Sequence, residues 1–365
     1  MHRSEDANNF YQRMYELSRN NPQTDAHIPY SQGSLLVIQN PESACYILGK
    51  NIQNYRKRYD WFRQCIGVSR FTENIPEWND LKKVTQRHFN QFDNTVLLKN
   101  VLVTMAQFTP AILQGVDELL LRDIALEIFS QTFLGYGAKE LDLNFDSITE
   151  LLEIALDHAF ITPGDLTGAR KREIYLRIFD LRQTMLKNLQ RLRDPIFHKS
   201  PLLKAIYEAD QKRELIFEHE LMFIFSVGIE TTVHSVGWIL LTLAKHPSIQ
   251  DQLFQEIQNT ITSDSSAEDY LNLSSTRNLI DWCLRRYPPT PCISREAIYA
   301  DQIGKFSITP HEPIVISLLG VLYDPSDTLE SAMTSDEDTL RRNLAFGHGQ
   351  RICGGKQYAT NELIF

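Results

Sequence analysis

The residues best suited to chemistry lie near the C-terminal end, in Phe346-Gly347-His348-Gly349-Gln350-Arg351-Ile352-Cys353-Gly354-Gly355. A single cysteine stands in a turn built largely of glycine, two residues after an arginine. Gly347, Gly349 and Gly355 permit positive φ or a close approach of the backbone where a side chain would collide. Phe346 is placed to pack beside the sulfur and exclude solvent. Arg351 offers a permanently charged planar fork suited to a carboxylate. A second constellation lies upstream, in Val227-Gly228-Ile229-Glu230-Thr231-Thr232. A carboxylate inside an apolar helix is costly unless it is paired or faces water, so Glu230 reads as a functional acid. With Thr231 beside it, the pair holds the groups needed to pass protons.

These groups need elements to hold them. The helical run carrying Glu230 and Thr231 extends from about 212 to 245 and is closed by His246-Pro247, a stop signal. About 34 residues make roughly 50 Å of helix, enough to cross a domain. Residues 1–33 read as a short helix and a polar connection. Ser34 to Ile38 is a β-rich run, and Asn40-Pro41-Glu42 opens a helix through Gly49, with Asn40 as N-cap. Residues 61–76 show no period, which suits either a loop covering a pocket or a plain surface connection. From about 95 to 200 apolar residues recur at helical spacing (Leu119, Leu120, Ile124, Ile128, Phe129), interrupted at Phe160 to Asp165. Ile303 to Ile308 and Pro313 to Ser317 read as short strands that pair with one another.

Composition narrows the class. The 365 residues are 42% hydrophobic and 23% charged, an ordinary globular balance. A formal net charge of −9 gives no support to nucleic-acid binding, since a polyanion wants a basic face. Cys45, Cys65, Cys283, Cys292 and Cys353 are scattered without a C-x-x-C pair, so neither a zinc site nor a disulfide framework is indicated. The N-terminus is polar, with no apolar run long enough to span a bilayer. A soluble, cytoplasmic protein without a membrane anchor is expected.

The cysteine stretch reads F-x-x-G-x-R-x-C-x-G and resembles the signature of the cytochrome P-450 superfamily of haem-thiolate monooxygenases. Val227 to Thr232 is similar to that family's A/G-G-x-D/E-T-T, and the two motifs stand in the family's order. The resemblance implies a mainly α fold with a small β-rich side, as a single domain over residues 1–365. It implies haem b (iron protoporphyrin IX), with Cys353 as the axial iron ligand; such a thiolate favours O–O cleavage. It implies that Thr231 and Glu230 handle protons, and that Gly228 brings the helix backbone close to bound O2, where the helix commonly widens. Trp78 and Lys82 stand where the family has W-x-x-x-R; Lys keeps the charge and loses the fork. With Arg295, Arg351 and His348 they are assigned to the haem propionates, and Phe346 and Gly347 to the sulfur's surroundings. O2, a small organic substrate and a separate ferredoxin- or flavodoxin-type electron donor complete the set.

Three departures keep a second reading open, a degenerate member acting as a recruitment or scaffold module. The family's E-x-x-R has Trp282 where Glu belongs, before Arg285; the adjacent Asp281 is expected to point about 100° away and not to substitute. An unpaired buried Arg would cost several kcal/mol, so another acid or a rearrangement is required. The P-x-x-F-x-P-x-R segment is replaced by acidic Ser335 to Asp338, with Arg341 and Arg342 as candidate replacements. The chain also stops at Phe365, where relatives continue through a full helix and a small β-region.

Overall fold

The computed structural model describes residues 5–30, 33–142, 145–159, 168–334 and 344–365. The interruption at Phe160 to Asp165, the acidic stretch and Arg341 and Arg342 lie outside the described residues.

Helix α1 (Glu5–Asn20) leads into β1 (Ala26–Tyr30), which pairs antiparallel with β2 (Gly33–Ile38). The sequence reading missed β1 because Pro29 interrupts it. Proline is tolerated there since β1 is an edge strand and one N–H is dispensable. Next, α2 (Pro41–Cys45) is capped by the Asn40 side chain, which accepts from the Glu42 and Ser43 N–H groups, and continues as a π turn, Tyr46–Lys50. Strand β3 (Tyr55–Lys57) precedes α3 (Asp60–Ile66). The stretch read as loop is therefore helical in its first half. Trp61, Phe62, Cys65 and Ile66 share one buried face, a signal too short to show a period.

The helical middle comprises α4 (Glu77–Asn90), α5 (Asn94–Ile112), α6 (Glu118–Leu134), α7 (Ala138–Leu141), α8 (Phe145–Asp157), α9 (Gly168–Gln190) and α10 (Pro201–Gln211). Helix α11 (Phe217–Lys245) starts about one turn later than predicted. Arg213 takes φ +61°, which breaks the helical path, and the Asp210 carboxylate then accepts the Phe217 N–H at 3.0 Å. Even so α11 is about 43 Å long and packs against α6, α8, α9 and α14. Its first turns are buried from Phe217 to Ser226 save His219, in the principal core shared with α6, α8 and α9. By length and composition α5 and α11 could each cross a membrane, where the sequence reading expected no such run.

After α12 (Pro247–Thr260), α13 (Ala267–Leu271) and α14 (Ser274–Arg286) come β4 (Cys292–Ala297), β5 (Asp301–Ile303), β6 (Phe306–Ile308) and β7 (Pro313–Ser317). Strands β5 and β6 form their own hairpin. Strand β7 does not pair with it: Ile314, Val315 and Ile316 are fully buried in the centre of a five-stranded sheet ordered β1-β2-β7-β4-β3. A strand buried on both faces loses alternation, which explains the misread pairing. Short helices α15 (Leu318–Val321) and α16 (Leu329–Met333) precede the cysteine loop, and α17 (Lys356–Ile364) follows it. The architecture is mainly helical with a small mixed sheet.

Candidate functional site

The cysteine loop is closed by hydrogen bonds from the Cys353 N–H to the Phe346 carbonyl and from the Gly347 N–H to the Leu344 carbonyl, both 2.8 Å. Two glycines make the turn possible, Gly347 at φ +77° and Gly349 at φ +71°. Their surroundings differ. A Cβ on Gly349 would lie 2.5 Å from the Leu48 carbonyl oxygen, so this glycine fits the loop against the π turn. A Cβ on Gly347 would meet nothing within 4 Å. Phe346 packs towards Leu271, Ile280, Leu284 and Ile364, tying the loop to α13, α14 and α17. Cys353 is exposed along one side, yet protein encloses the rest. That enclosure pushes its thiol pKa up, while the Gly355 N–H and the charges of Arg70 and Lys356 pull it down.

Beside the loop sits a group of cations, Arg295 buried and Lys57 and Arg351 half-buried. The β3–β4 register sets Lys57 directly opposite Arg295. Like charges facing each other across a sheet are destabilising. Burial first, then Arg295, Arg351 and Arg70, hold the Lys57 ammonium well below its ordinary pKa. Burial and Arg295 push Arg351 down to about 10. Among the described residues the Arg295 Nε and the Arg351 Nε and Nη1 are buried without a hydrogen-bond partner. Such unanswered donors are costly to the fold and ask for an anion. The carboxylates of a cofactor would answer these donors, and the Cys353 thiol is the group that would bind its metal. The residues present therefore suit a haem.

Trp78 and Lys82 are brought to the same loop. Trp78 is buried on α4, the Lys82 ammonium lies 4.7 Å from its ring centroid, and Lys82 Nζ donates to the Gln350 carbonyl at 3.3 Å. Lys82 thus holds the loop's peptide. His348 is not brought to the cation group. It is exposed, and its ring covers Gly49, whose Cβ would lie 2.9 Å from His348 Cδ2.

On α11 the Glu230 carboxylate accepts from Arg122 Nε at 2.8 Å and Nη2 at 3.3 Å, and from Thr149 Oγ1 at 2.9 Å. Burial lowers the Arg122 guanidinium, but Glu230 and then Glu118 outweigh it and leave its pKa raised. The acid inside the apolar helix is thus paired, by a residue the sequence reading did not single out. Thr231 Oγ1 donates to the Val227 carbonyl at 2.8 Å, and Thr232 Oγ1 to the Glu362 carboxylate of α17 at 3.1 Å. The helix runs through this region as α, without widening. Gly228 has a different use from the one predicted. A Cβ there would lie 2.7 Å from Phe129 Cε2, so its small size admits α6 against α11.

Helix α14 resolves the misplaced acid. Arg285 pairs with Asp281 one turn earlier on its own helix and with Asp327, whose carboxylate accepts from Nε at 2.9 Å and Nη2 at 3.2 Å. The expectation that Asp281 cannot serve is overturned: positions i and i+4 are neighbours on a helix face, whatever the direction of the residue between. Trp282 Nε1 donates to the Asp327 carbonyl at 3.1 Å, so the replacement residue fastens the same segment.

Sequence reasoning missed Lys57, Arg70 and Arg122. Lys57 lies in a run of charge, Tyr55-Arg56-Lys57-Arg58, unusual for a strand. Nothing local marks the other two.

The family model described as cytochrome P450 matches residues 7–327. Among curated proteins, "Cytochrome P450 10" of Lymnaea stagnalis is 32% identical over 152 residues, 37% of this chain and 28% of that protein. The "(S)-N-methylcoclaurine 3'-hydroxylase isozyme 2" of Eschscholzia californica is 30% identical over 156 residues, 40% of this chain and 32% of that one. The matched stretches thus span about a third of these curated relatives. A solved structure titled as a cytochrome P450 (CYP102L1) superposes with a TM-score of 0.75 at 19% identity, covering 97% of this chain and 88% of that chain. The fold is shared with it, and on the match over residues 7–327 the chain belongs to the cytochrome P450 family.

Proposed function

We propose that the chain is a haem-thiolate monooxygenase that hydroxylates a small, largely apolar organic molecule. The observation that carries this reading is the pair Arg295 and Arg351, whose buried N–H donors go unanswered among the described residues, beside an exposed cysteine. Haem b, when bound, would supply activation of O2 and oxygen insertion. Cys353 would hold its iron as a thiolate, favoured by the Gly355 N–H. Arg295 and Arg351 would hold the propionate charges. Lys82, braced on Trp78, fixes the loop at Gln350. Thr231 Oγ1 would hold a proton at the reaction face, and Glu230, kept by Arg122, would accept and return protons through water.

The reading further takes the chain as one domain, cytoplasmic, with electrons from a separate ferredoxin- or flavodoxin-type donor. Hydroxylation is the reaction named for the Eschscholzia relative. The paired Arg285 favours the enzyme over the scaffold reading, because its lock behind the loop is rebuilt with Asp281 and Asp327. The test is the reduced, carbon monoxide-bound difference spectrum of the full chain loaded with haem. A band at about 450 nm is expected for thiolate ligation. A band at about 420 nm, or no haem retained, overturns the reading in favour of the scaffold module.

A further inference from the structure

Arg70 and Gln86 do nothing in the mechanism above, yet they meet the residue next to Cys353. Gln86 Nε2 donates to the Gly354 carbonyl at 3.1 Å and to Asn90 Oδ1 at 2.7 Å. Arg70 Nη1 donates to Gln86 Oε1 at 2.9 Å. A Cβ built on Gly354 would lie 2.5 Å from Gln86 Oε1 and 2.7 Å from Arg70 Nη2, so these two side chains fill the room a side chain at 354 would take. Arg70 is buried, with its guanidinium carbon 5.7 Å from the Phe89 ring centroid and 5.6 Å from that of Phe223. Its own N–H donates to Glu220 of α11 at 3.2 Å. One residue therefore links α4, α11 and the cysteine loop.

We propose that Arg70 is a positioning residue for Cys353, which braces the peptide after the ligand through Gln86 and keeps a buried positive charge beside the sulfur. This rests on the reading of Cys353 as a haem ligand. Its guanidinium donates to a neutral amide, and Glu220 and Cys353 are the charges that favour its charged form. A buried cation acts through a low dielectric, so it favours whichever state of the ligated centre is more negative, the reduced one. The brace also supplies what Lys82 lacks. Lys82 holds the loop at Gln350 on one side only, and Gln86, gripped by Arg70 Nη1, anchors it on the far side of Cys353 through its amide.

The experiment compares the chain loaded with haem as wild type, Arg70→Met, Arg70→Lys and Gln86→Leu. Three quantities are read: the reduction potential, the ratio of the two carbon monoxide bands, and the rate of haem loss to a scavenger. Arg70→Met is expected to shift the potential to more negative values, move at least half of the longer-wavelength band to the shorter, and lose haem about tenfold faster, a loss equivalent to about 1.4 kcal/mol. Arg70→Lys, which keeps charge without the fork, is expected to restore the potential but not the haem-loss rate. Gln86→Leu is expected to speed haem loss about threefold with the potential unchanged. If Arg70→Met does not fold, the last two variants decide. Wild-type values in Arg70→Met, or in both other variants, would overturn the proposal. So would tighter haem retention in Arg70→Met, which would mean that Arg70 stands in the cofactor's way. Absence of a thiolate band in the wild type fails the monooxygenase reading itself, before any variant is compared.

Discussion

The two flanks of the site keep their hydrogen bonds differently. On the α11 flank every functional group has a partner from the chain: Glu230 takes Arg122 and Thr149, Thr231 takes the Val227 carbonyl, and Thr232 takes Glu362. On the cysteine-loop flank Arg295 and Arg351 keep buried N–H groups without partners among the described residues, and Lys57, which donates to the Arg70 and Phe71 carbonyls, faces Arg295 across a strand pair. The first flank is stable as it stands. Among the described residues the second has no carboxylate to match its arginines, and a fold gains nothing from cations pressed together in a low dielectric. Ligand chemistry therefore shows most plainly where the protein's own donors are left unmatched.

That contrast breaks most sharply at Arg122. Its side chain and that of Glu230 are 10% and 13% exposed. Arg122→Leu strands a nearly buried carboxylate and is expected to cost about 3 kcal/mol of stability in urea unfolding. The double variant Arg122→Met, Glu230→Leu is expected to recover most of it. A stable single variant would mean that water, not Arg122, serves Glu230.

Glu362 sharpens the same flank. It is buried, accepts from Tyr358 Oη and Thr232 Oγ1, and burial pushes its pKa up to about 7 from 4.5. Between those values the folded protein keeps a proton that the unfolded chain releases. Stability therefore falls as pH rises from about 4.5 to about 7 and levels above it, by about 3 kcal/mol in all. Glu220, also raised to about 7 by burial, adds a fall of the same sign. In Glu362→Gln the first share should vanish and about half of the slope remain. An unchanged slope across this window would refute the assignment.

On the other flank the signs reverse. Arg351→Met removes a like charge from the group, so the haem-free protein is expected to gain stability. It also removes a charge-assisted bond to a propionate, and haem affinity is expected to fall about 30-fold, or about 2 kcal/mol. A variant that loses both would show that Arg351 has a structural partner instead.

The sequence exposed this site unevenly, for physical reasons. The cysteine loop, α11 and the Trp78–Lys82 helix were legible because each is a local pattern whose spacing fixes its geometry. The partners that complete them come from far along the chain: Arg122 reaches Glu230 across 108 positions, and Asp327 reaches Arg285 across 42. No local rule marks such residues. Gly228 failed for a related reason. Its smallness was legible, but whether a cofactor or the Phe129 ring of α6 needs the room is decided by helix packing. Strand β7 was legible with its bounds, and only its pairing was misread, because burial on both faces erased its period.

His348 is where the two flanks give the smallest effect. It lies inside the cysteine loop, three residues before Arg351, and the sequence could not separate it from the propionate-binding set. The structure does so through the turn: the positive φ of Gly347 and Gly349 brackets it and directs its ring outward onto Gly49. Exposed and without a place among the unmatched cations, it has no anion to answer. His348→Ala is expected to leave haem affinity unchanged and stability within about 0.5 kcal/mol, the ordinary range for a surface substitution. Haem titration followed by absorbance measures the first and urea unfolding the second. A tenfold loss of affinity would mean that the cation group extends to the outer face of the loop, and that partnerless N–H groups do not mark its limits.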